Sequence, residues 1–268
     1  MFVNRDSQIT LNKARSGRRM LMTKCLAVVV FLLTLSGIPA SAGLITFTGA
    51  DLGVVPTNPS GPNSTAAAAS FGVAAALLGN VSIITFEGSP VGSFSNLLVA
   101  PGVSISGSDL NGSNQTIKNA FNATFPSLDG YNTTSGGSKF VEVFGGTLVF
   151  TFATPVQFFG VFLSGVQTNF FADTITFSDG SSQTILVPGA GTSSSVGALA
   201  FVGFTDAGQS ISSITITAGV PGSGADAIGV DDVRYQSASA VPEPGSMGLV
   251  LSGCLFLLGV RRLGAARI

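Results

Sequence analysis

Short apolar runs rich in Val, Ile, Phe and Thr, separated by Gly, Ser, Asn and Asp, fill the chain from residue 81 onward. In the run 173–177, Ile175 and Phe177 alternate with threonines, as in a half-buried strand. The run 213–217 repeats this alternation, and Gly180 marks a hairpin turn after the first run. We therefore predict strands at 81–87, 103–106, 139–143, 147–152, 157–163, 173–177, 183–187, 198–204, 213–217 and 229–235.

The spacing of these strands predicts one all-β domain over residues 81–237. Turn residues recur between the strands and no second helical pattern interrupts them, which is typical of a single antiparallel β-sandwich. Phenylalanines recur within the strands and supply the bulk that a core between two sheets needs.

Residues 43–80 have a different pattern and are interpreted as a leader segment. Residues 44–48 alternate like a short strand. The alanine-rich run 65–78 predicts one short helix, with Asn63 or Ser64 as its N-cap; a flexible linker is the alternative. The inner side of this helix would be formed by Phe71, Ala75, Leu77 and Leu78.

Residues 109–137 are rich in Asn and Gly and are long for a plain connection. Such a loop faces a ligand, covers the sandwich or is mobile, and these interpretations stay open. Its apolar residues, which could anchor it to the sandwich, are Ile117, Phe121, Phe125, Leu128 and Tyr131.

The first residues of the chain carry features of export. Six basic residues precede an apolar run at 25–35, and Ala40, Ser41 and Ala42 then fit the small-x-small rule for cleavage. We predict a signal peptide over residues 1–42, cleaved between Ala42 and Gly43, so that the remainder is exported.

The tail 241–268 has three parts in a fixed order. Prolines keep the first part out of helix and sheet, so it stays open to an enzyme. A helix over the uncharged apolar run 245–260 spans roughly 24 Å, less than the ~30 Å hydrocarbon core, which predicts a weakly anchored transmembrane helix. The basic end should lie on the cytoplasmic side. The first part consists of Val241, Pro242, Glu243 and Pro244, and the basic end begins with Arg261 and Arg262.

This order of Pro-Glu-Pro, apolar helix and basic end resembles the PEP-CTERM sorting signal of Gram-negative bacteria. The resemblance implies that exosortase, a membrane-embedded transpeptidase-like enzyme, recognises residues 242–244 and removes the tail. It also implies an inner-membrane intermediate and a final location at the cell surface or in the extracellular matrix, in association with exopolysaccharide and biofilm.

Removal of both ends leaves an acidic body. Three basic and eleven acidic residues between positions 43 and 240 give it a net charge of −8, so nucleic acid is a poor partner. Cys25 and Cys254 both lie in the removed segments, which leaves no disulfide in the mature chain.

The residue types of the body exclude several kinds of catalysis. The chain has no histidine or tryptophan, and the body has no cysteine. Ser-His-Asp and Cys-His catalysis and His- or Cys-based metal sites are therefore excluded. We expect no enzymatic activity. The remaining alternative is a carboxylate-based glycoside hydrolase, for which Glu87 and Glu142 are the glutamates of the body.

The carboxylates of the body are better suited to binding calcium than to hydrolysis, because calcium prefers hard oxygen ligands. Glu87 ends the first sandwich strand, and Asp231 and Asp232 lie in the last strand. This arrangement is similar to the jelly-roll, galactose-binding-like folds of carbohydrate-binding modules. The similarity implies a structural calcium ion held by Glu87 with Asp231 or Asp232. Consecutive strand residues face opposite sides, so only one of the two aspartates should point at the ion. Alternatively, Glu87 and Asp232 pair with Arg234 or face solvent.

The sequence thus predicts a jelly-roll-like sandwich with one short N-terminal helix, a signal-peptide helix and a C-terminal transmembrane helix. For the body we expect a non-catalytic structural or adhesive matrix component. A calcium-containing module that binds exopolysaccharide or a surface glycan is the second interpretation.

Overall fold

The computed structural model describes residues 43–167, 172–189, 196–219 and 226–237. The predicted signal peptide, with Ala40 and Ala42, and the predicted sorting tail 241–268 lie outside the described residues. Within the described ranges, no helix has the length and apolar character needed to cross a membrane.

The described residues form one helix and fourteen strands. The helix, α1, is Pro62–Ala76. The strands in chain order are β1 (Ile45–Leu52), β2 (Val81–Ile84), β3 (Gly92–Ser93), β4 (Leu97–Ala100), β5 (Val103–Ser108), β6 (Thr116–Lys118), β7 (Phe140–Phe144), β8 (Gly146–Val156), β9 (Phe158–Val166), β10 (Thr174–Ser178), β11 (Ser182–Leu186), β12 (Ala198–Thr205), β13 (Ile211–Ala218) and β14 (Ala227–Gln236).

These strands form two sheets in which every pairing among the described residues is antiparallel. Sheet I has the order β1-β12-β9-β14-β7-β6-β3, with β2 also paired to β14. Sheet II has the order β11-β10-β13-β8-β5-β4. Apolar side chains from both sheets form one buried core. The predicted all-β antiparallel sandwich is therefore confirmed.

All ten strands predicted after residue 80 are present, and the predicted strand 44–48 falls largely within β1. The sequence missed β3, β4 and β6, which have two to four residues each. Strands this short carry too few positions for alternation to stand out.

The helix covers the outer face of sheet I, where it contacts β1, β9 and β12. Phe71 of α1 is fully buried and its ring packs against Phe47, Phe158 and Phe201. This cover explains why every residue of β12 is buried, since its other face lines the core. The segment 43–80, predicted as a separate leader, is thus packed into the sandwich, and β1 pairs with β12 along its whole length.

The predicted short helix is present, but its start and end differ from the prediction. Its N-cap is Gly61 rather than Asn63 or Ser64. The Asp51 carboxylate, from β1, accepts the backbone N–H groups of Asn63 and Ser64 at 3.0 and 2.8 Å. Although burial opposes the change, these hydrogen bonds lower the pKa of Asp51. Leu77, predicted on the inner side, is 84% exposed because α1 ends before it.

Candidate functional site

Part of the long loop 109–137 is docked against sheet I. A Cβ atom at Gly130 would lie 2.3 Å from the backbone nitrogen of Gly229, so the two backbones approach as closely as only glycine allows. Tyr131 is fully buried. Its N–H donates to the Ser164 hydroxyl at 2.8 Å, and its own hydroxyl donates to the Val54 carbonyl at 3.1 Å. This part of the loop is a structural cover.

The predicted anchors of the loop behave differently from one another. Ile117 and Tyr131 are fully buried, whereas Phe121 and Phe125 are 40% and 50% exposed. Ile117 lies in β6, which pairs with β7, so the first part of the loop adds a strand to sheet I.

Asp231 and Asp232 lie at a bulge in β14, where the register with β9 shifts between Asp231 and Arg234. Asp232 has a φ of 46°, a left-handed conformation that is uncommon outside glycine. Asp231 Oδ2 accepts the N–H groups of Thr133 and Thr134 at 2.8 and 3.0 Å. The Thr134 hydroxyl donates to Asp232 Oδ1 at 2.8 Å. The two carboxylates therefore reach the same loop residues. The expectation that they face opposite sides is wrong because it assumed a regular strand.

The carboxylate of Asp232 affects the protonation of the neighbouring Asp231. Burial, followed by the charge of Asp232, raises the pKa of Asp231 to about 7, although hydrogen bonds from Thr133 and Thr134 oppose the rise. The bulge thus gathers carboxylate and hydroxyl oxygens around a pair of like charges. Such a pair favours a proton or a cation at neutral pH.

Glu87 follows Phe86, whose φ of 57° is also left-handed. Glu87 Oε1 accepts the backbone N–H groups of Ser138 and Lys139 at 2.8 and 2.7 Å. The Lys139 ammonium group donates to the carbonyls of Glu87 and Ser89, both at 2.8 Å. Glu87 therefore holds the last residues of the loop beside the start of β7.

The three predicted calcium ligands are brought together only in part. Asp231 and Asp232 meet at the bulge, but Glu87 does not join them. Among the described residues, no three or more Asp, Glu, Cys or His side chains form a group that could hold a metal ion. The backbone is strained at Phe86, next to Glu87, and at Asp232, and such strain often marks functional sites. Structural calcium at these residues stays a prediction.

Burial lowers the pKa of Arg234, and the charge of Asp232 opposes this shift. The alternative pairing with Asp232 is thus present as a charge interaction, but not as a salt bridge among the described residues. The Arg234 guanidinium lies 5.6 and 5.5 Å from the ring centres of Phe162 and Phe201, and it donates to the Ala68 carbonyl at 3.0 Å. It therefore joins sheet I to α1 through cation–π contacts and a hydrogen bond. The ion pair found among the described residues joins Lys118 and Glu142.

A cleft of about 550 Å³ opens between the end of β1 and the start of α1. Asn58, Ser60 and Asn63 are among its polar lining residues. Its volume is within the range of small-molecule sites. The sequence did not reveal it because proline- and glycine-rich connecting residues, rather than a motif, form its walls.

Asp179 and Asp206 form a second pair of neighbouring carboxylates. The N–H and hydroxyl of Ser181 donate to Asp179 Oδ1 at 3.0 and 2.8 Å, and these bonds lower the pKa of Asp179 to about 2. Asp206 is only 2% exposed, and its Oδ2 has no hydrogen-bond partner in the described part of the chain. Burial, together with the hydrogen bond and charge of Asp179, raises the pKa of Asp206 to about 6.

We expect the substitution Asp206→Asn to stabilise the protein at about pH 7.5 and to change little at about pH 4. The folded-state pKa lies above the ordinary 3.8. Below pH 3.8 Asp206 is protonated in both the folded and the unfolded protein and costs no stability. As the pH rises through about 6, the folded protein must ionise this buried carboxyl group, and stability is lost. Asparagine cannot ionise, so it avoids this loss. Urea unfolding at both pH values measures the effect, with Asp129→Asn as the control. An equal effect of Asp206→Asn at both pH values would contradict the prediction.

No family model matches the chain, and no curated protein matches it. Solved structures similar to the chain include the K1 cleaved adhesin domain of Lys-gingipain from Porphyromonas gingivalis W83, at 10% identity over 60% of this chain and 100% of that chain, with a TM-score of 0.36. Another is CBM29_1, a family 29 carbohydrate-binding module from Piromyces equi, at 13% identity over 60% and 92% of the two chains, with a TM-score of 0.33. A third is TmCBM61 in complex with β-1,4-galactotriose, at 12% identity over 57% and 95%, with a TM-score of 0.28.

These likenesses are weak, and the assignment of the fold rests on the strand pairing described above. The chain contains an antiparallel β-sandwich with one helix on its outer face.

Proposed function

We propose that the chain is an exported cell-surface or extracellular-matrix protein whose sandwich body is non-catalytic, with a structural or adhesive role. We further propose that exosortase processes its tail as a PEP-CTERM sorting signal. The observation that carries the first proposal is the use of the carboxylates in the body. They hold backbone groups of the sandwich and its loops in place.

Asp51, Glu87 and Asp231 each accept two backbone N–H groups. Glu142 is paired with Lys118. A general acid or base instead needs an oxygen within hydrogen-bond reach of a substrate. The two glutamates that a glycosidase would use are thus engaged in structural contacts, which favours a non-catalytic body over the hydrolase interpretation.

The sorting proposal rests on the order of residues in the tail. The apolar run 245–260 holds the chain in the inner membrane, and the extended motif before it stays accessible on the outer side. Exosortase then cuts near residues 242–244, and the body is released or transferred to a surface acceptor.

We expect the double substitution Glu243→Ala and Pro244→Ala to leave the unprocessed chain in the membrane fraction, because the motif that the enzyme reads is removed while the apolar run stays intact. Fractionation and immunoblotting of a Gram-negative host that carries exosortase measure the outcome. Pro90→Ala, far from the tail in sequence, is the matched control. Unchanged processing of the double variant would contradict the sorting proposal.

A carbohydrate-binding role for the body is the second candidate, and the cleft between β1 and α1 is the observation that favours it. Its polar lining could bind sugar hydroxyl groups, and an ion at Glu87, Asp231 or Asp232 would be the structural calcium. Pull-down with exopolysaccharide separates the two candidates. Retention that is lost in Asn58→Ala would favour the binding module, and no retention would favour the structural or adhesive role.

A further inference from the structure

Two fully buried aspartates, Asp173 and Asp226, lie at one end of the sandwich and are hydrogen-bonded to each other. Asp173 directly precedes β10 of sheet II, and Asp226 directly precedes β14 of sheet I. Each ends a connection that crosses between the sheets, from β9 to β10 and from β13 to β14. The bond between the two carboxyl groups therefore links sheet II to sheet I where both crossovers arrive.

Asp173 contacts the ends of two other strands of sheet II. Its Oδ1 atom accepts the N–H of Gly219, which directly follows β13, at 2.8 Å. Its carbonyl accepts the N–H of Val187, which directly follows β11, at 2.9 Å. These bonds fix both the backbone and the side chain of Asp173, so that its second carboxyl oxygen, Oδ2, is held in one place.

Asp226 is held in a similar way by sheet I. Its Oδ2 atom accepts the N–H of Gln167, which directly follows β9, at 2.9 Å. Its Oδ1 atom accepts the N–H of Ala227, the first residue of β14, at 2.9 Å. The Asp226 carbonyl accepts the N–H of Gly145, between β7 and β8, at 2.7 Å. Backbone donors thus fix the position of Asp226 at these strand ends.

One oxygen of the pair has no donor when both carboxyl groups are ionised. Asp173 Oδ2 is buried, and no N–H or O–H group of the described residues donates to it. An ionised carboxylate only accepts hydrogen bonds, so the bond between Asp173 and Asp226 requires a proton on one of the two groups. With that proton, the pair carries one charge instead of two, and the buried oxygen gains a donor.

The basic side chains between residues 43 and 240 are engaged elsewhere. They are Lys118, Lys139 and Arg234. Lys118 pairs with Glu142, Lys139 binds the carbonyls of residues 87 and 89, and Arg234 lies over two phenylalanine rings. The connecting residues 168–171 and 220–225 contain no charged residue. A proton is therefore the positive charge that remains for the two buried carboxyl groups.

The other ionisable groups on the neighbouring elements have partners of their own. Strands β8, β9, β11 and β13 contain no ionisable residue, and Tyr235 lies near the opposite end of β14. Each carboxylate on or beside β7, β9, β10 and β14 accepts hydrogen bonds from, or pairs with, groups other than Asp173 and Asp226. These carboxylates are Asp109, Asp129, Glu142, Asp179, Asp231 and Asp232.

We propose that Asp173 and Asp226 share one proton and so form an acid-stabilised latch between the two sheets. The proton keeps the strand ends that contact these residues together. When it is lost, two adjacent buried carboxylates repel each other, and this end of the sandwich opens before the rest of the core does. The latch is independent of the sorting and binding roles proposed above.

The pKa values of the pair set the pH at which the latch loosens. Burial is the main cause that raises the pKa of Asp173 to about 6 and that of Asp226 to about 8. The hydrogen bond between them lowers the pKa of Asp173 and raises that of Asp226, so Asp226 carries the shared proton. Both values lie above the ordinary 3.8. The stability that the proton contributes is therefore complete below 3.8 and is lost as the pH rises through about 8.

The substitution Asp173→Asn tests the proposal. Its amide oxygen can still accept the N–H of Gly219, while its NH₂ group takes the place of Oδ2 and donates to an ionised Asp226. Urea unfolding of the purified full chain should show that the unfolding equilibrium constant of the wild type, relative to the variant, rises about tenfold per pH unit between about pH 6 and about pH 7.5. In this range the folded wild type holds one proton that the unfolded chain has lost.

Two other buried carboxyl groups do not disturb this comparison. The pKa values of Asp206 and Asp231 are also raised, but both residues are present in both chains, so their contributions cancel in the ratio. Asp129→Asn is the matched control, and its stability relative to the wild type should not vary with pH. A ratio for Asp173→Asn that is equally constant overturns the proposal, because a purely structural role changes stability by the same factor at every pH.

NMR titration of the Asp226 carboxyl carbon gives a readout in the wild-type chain itself. Its signal should change near pH 8, and an Asp226 that is already ionised at about pH 6 overturns the proposal. Hydrogen exchange at the amides of Gln167 and Gly219 measures the loosening. Their protection should fall above about pH 8 relative to amides in the middle of β13. Protection that stays constant relative to those amides overturns the latch.

Discussion

Replacing Phe71 with alanine is expected to destabilise the protein by about 3–5 kcal/mol, as truncation of a fully buried phenylalanine does. The Phe71 ring fills a recess made by Gly160 and Gly203, which face each other in the register of β9 and β12. Cβ atoms at these two glycines would lie 3.0 and 2.8 Å from the ring. Removal of the ring leaves a cavity between α1 and sheet I that the two glycines cannot fill.

Urea unfolding of the purified full chain measures this loss, which corresponds to a fall of roughly 6–20 °C in the midpoint of thermal unfolding. Val73→Ala is the matched control, because Val73 lies on the same helix and is 72% exposed. The control should leave the stability nearly unchanged. Equal stabilities of Phe71→Ala and the control would show that α1 does not contribute to the folded sandwich.

Replacing Gly130 with alanine is expected to cost about 1–3 kcal/mol or more, because overpacking against backbone cannot be relieved by a side-chain rotation. The added Cβ would lie 2.3 and 2.5 Å from the nitrogen and Cα of Gly229. The loop must therefore move away from β14. Thr133 and Thr134, which follow in the same segment, would then lose their bonds to Asp231.

Chemical unfolding again measures the cost, with Gly88→Ala as the control, since a Cβ atom at Gly88 meets nothing within 4 Å. Hydrogen exchange at the amides of Thr133 and Thr134 gives the local effect, and it should speed up in Gly130→Ala. A variant that keeps both its stability and the protection of these amides would show that the loop is not docked as described.

The regular strands could be predicted because each shows its burial in a few adjacent residues. Ile175 and Phe177 are buried in β10 while the threonines beside them are less so, as alternation required. β12 does not alternate because its second face is covered by α1. Its continuous apolar run still indicated a buried strand, but not what covered it.

Other features depend on residues that are distant in sequence. The carboxylate that accepts N–H groups of the first turn of α1 comes from Asp51, twelve positions before Asn63 in the chain. The bulge at Asp231 is defined by its register with β9, which a single strand does not show.

The intact mass of the protein recovered from the extracellular material of a producing bacterium tests the proposed export and processing most directly. We expect a species that begins at Gly43 and ends near residues 242–244, which would show that both terminal segments are removed and that the acidic sandwich is the delivered product. A full-length chain that keeps residues 1–42 and 245–268 and stays with the cells would contradict the proposal.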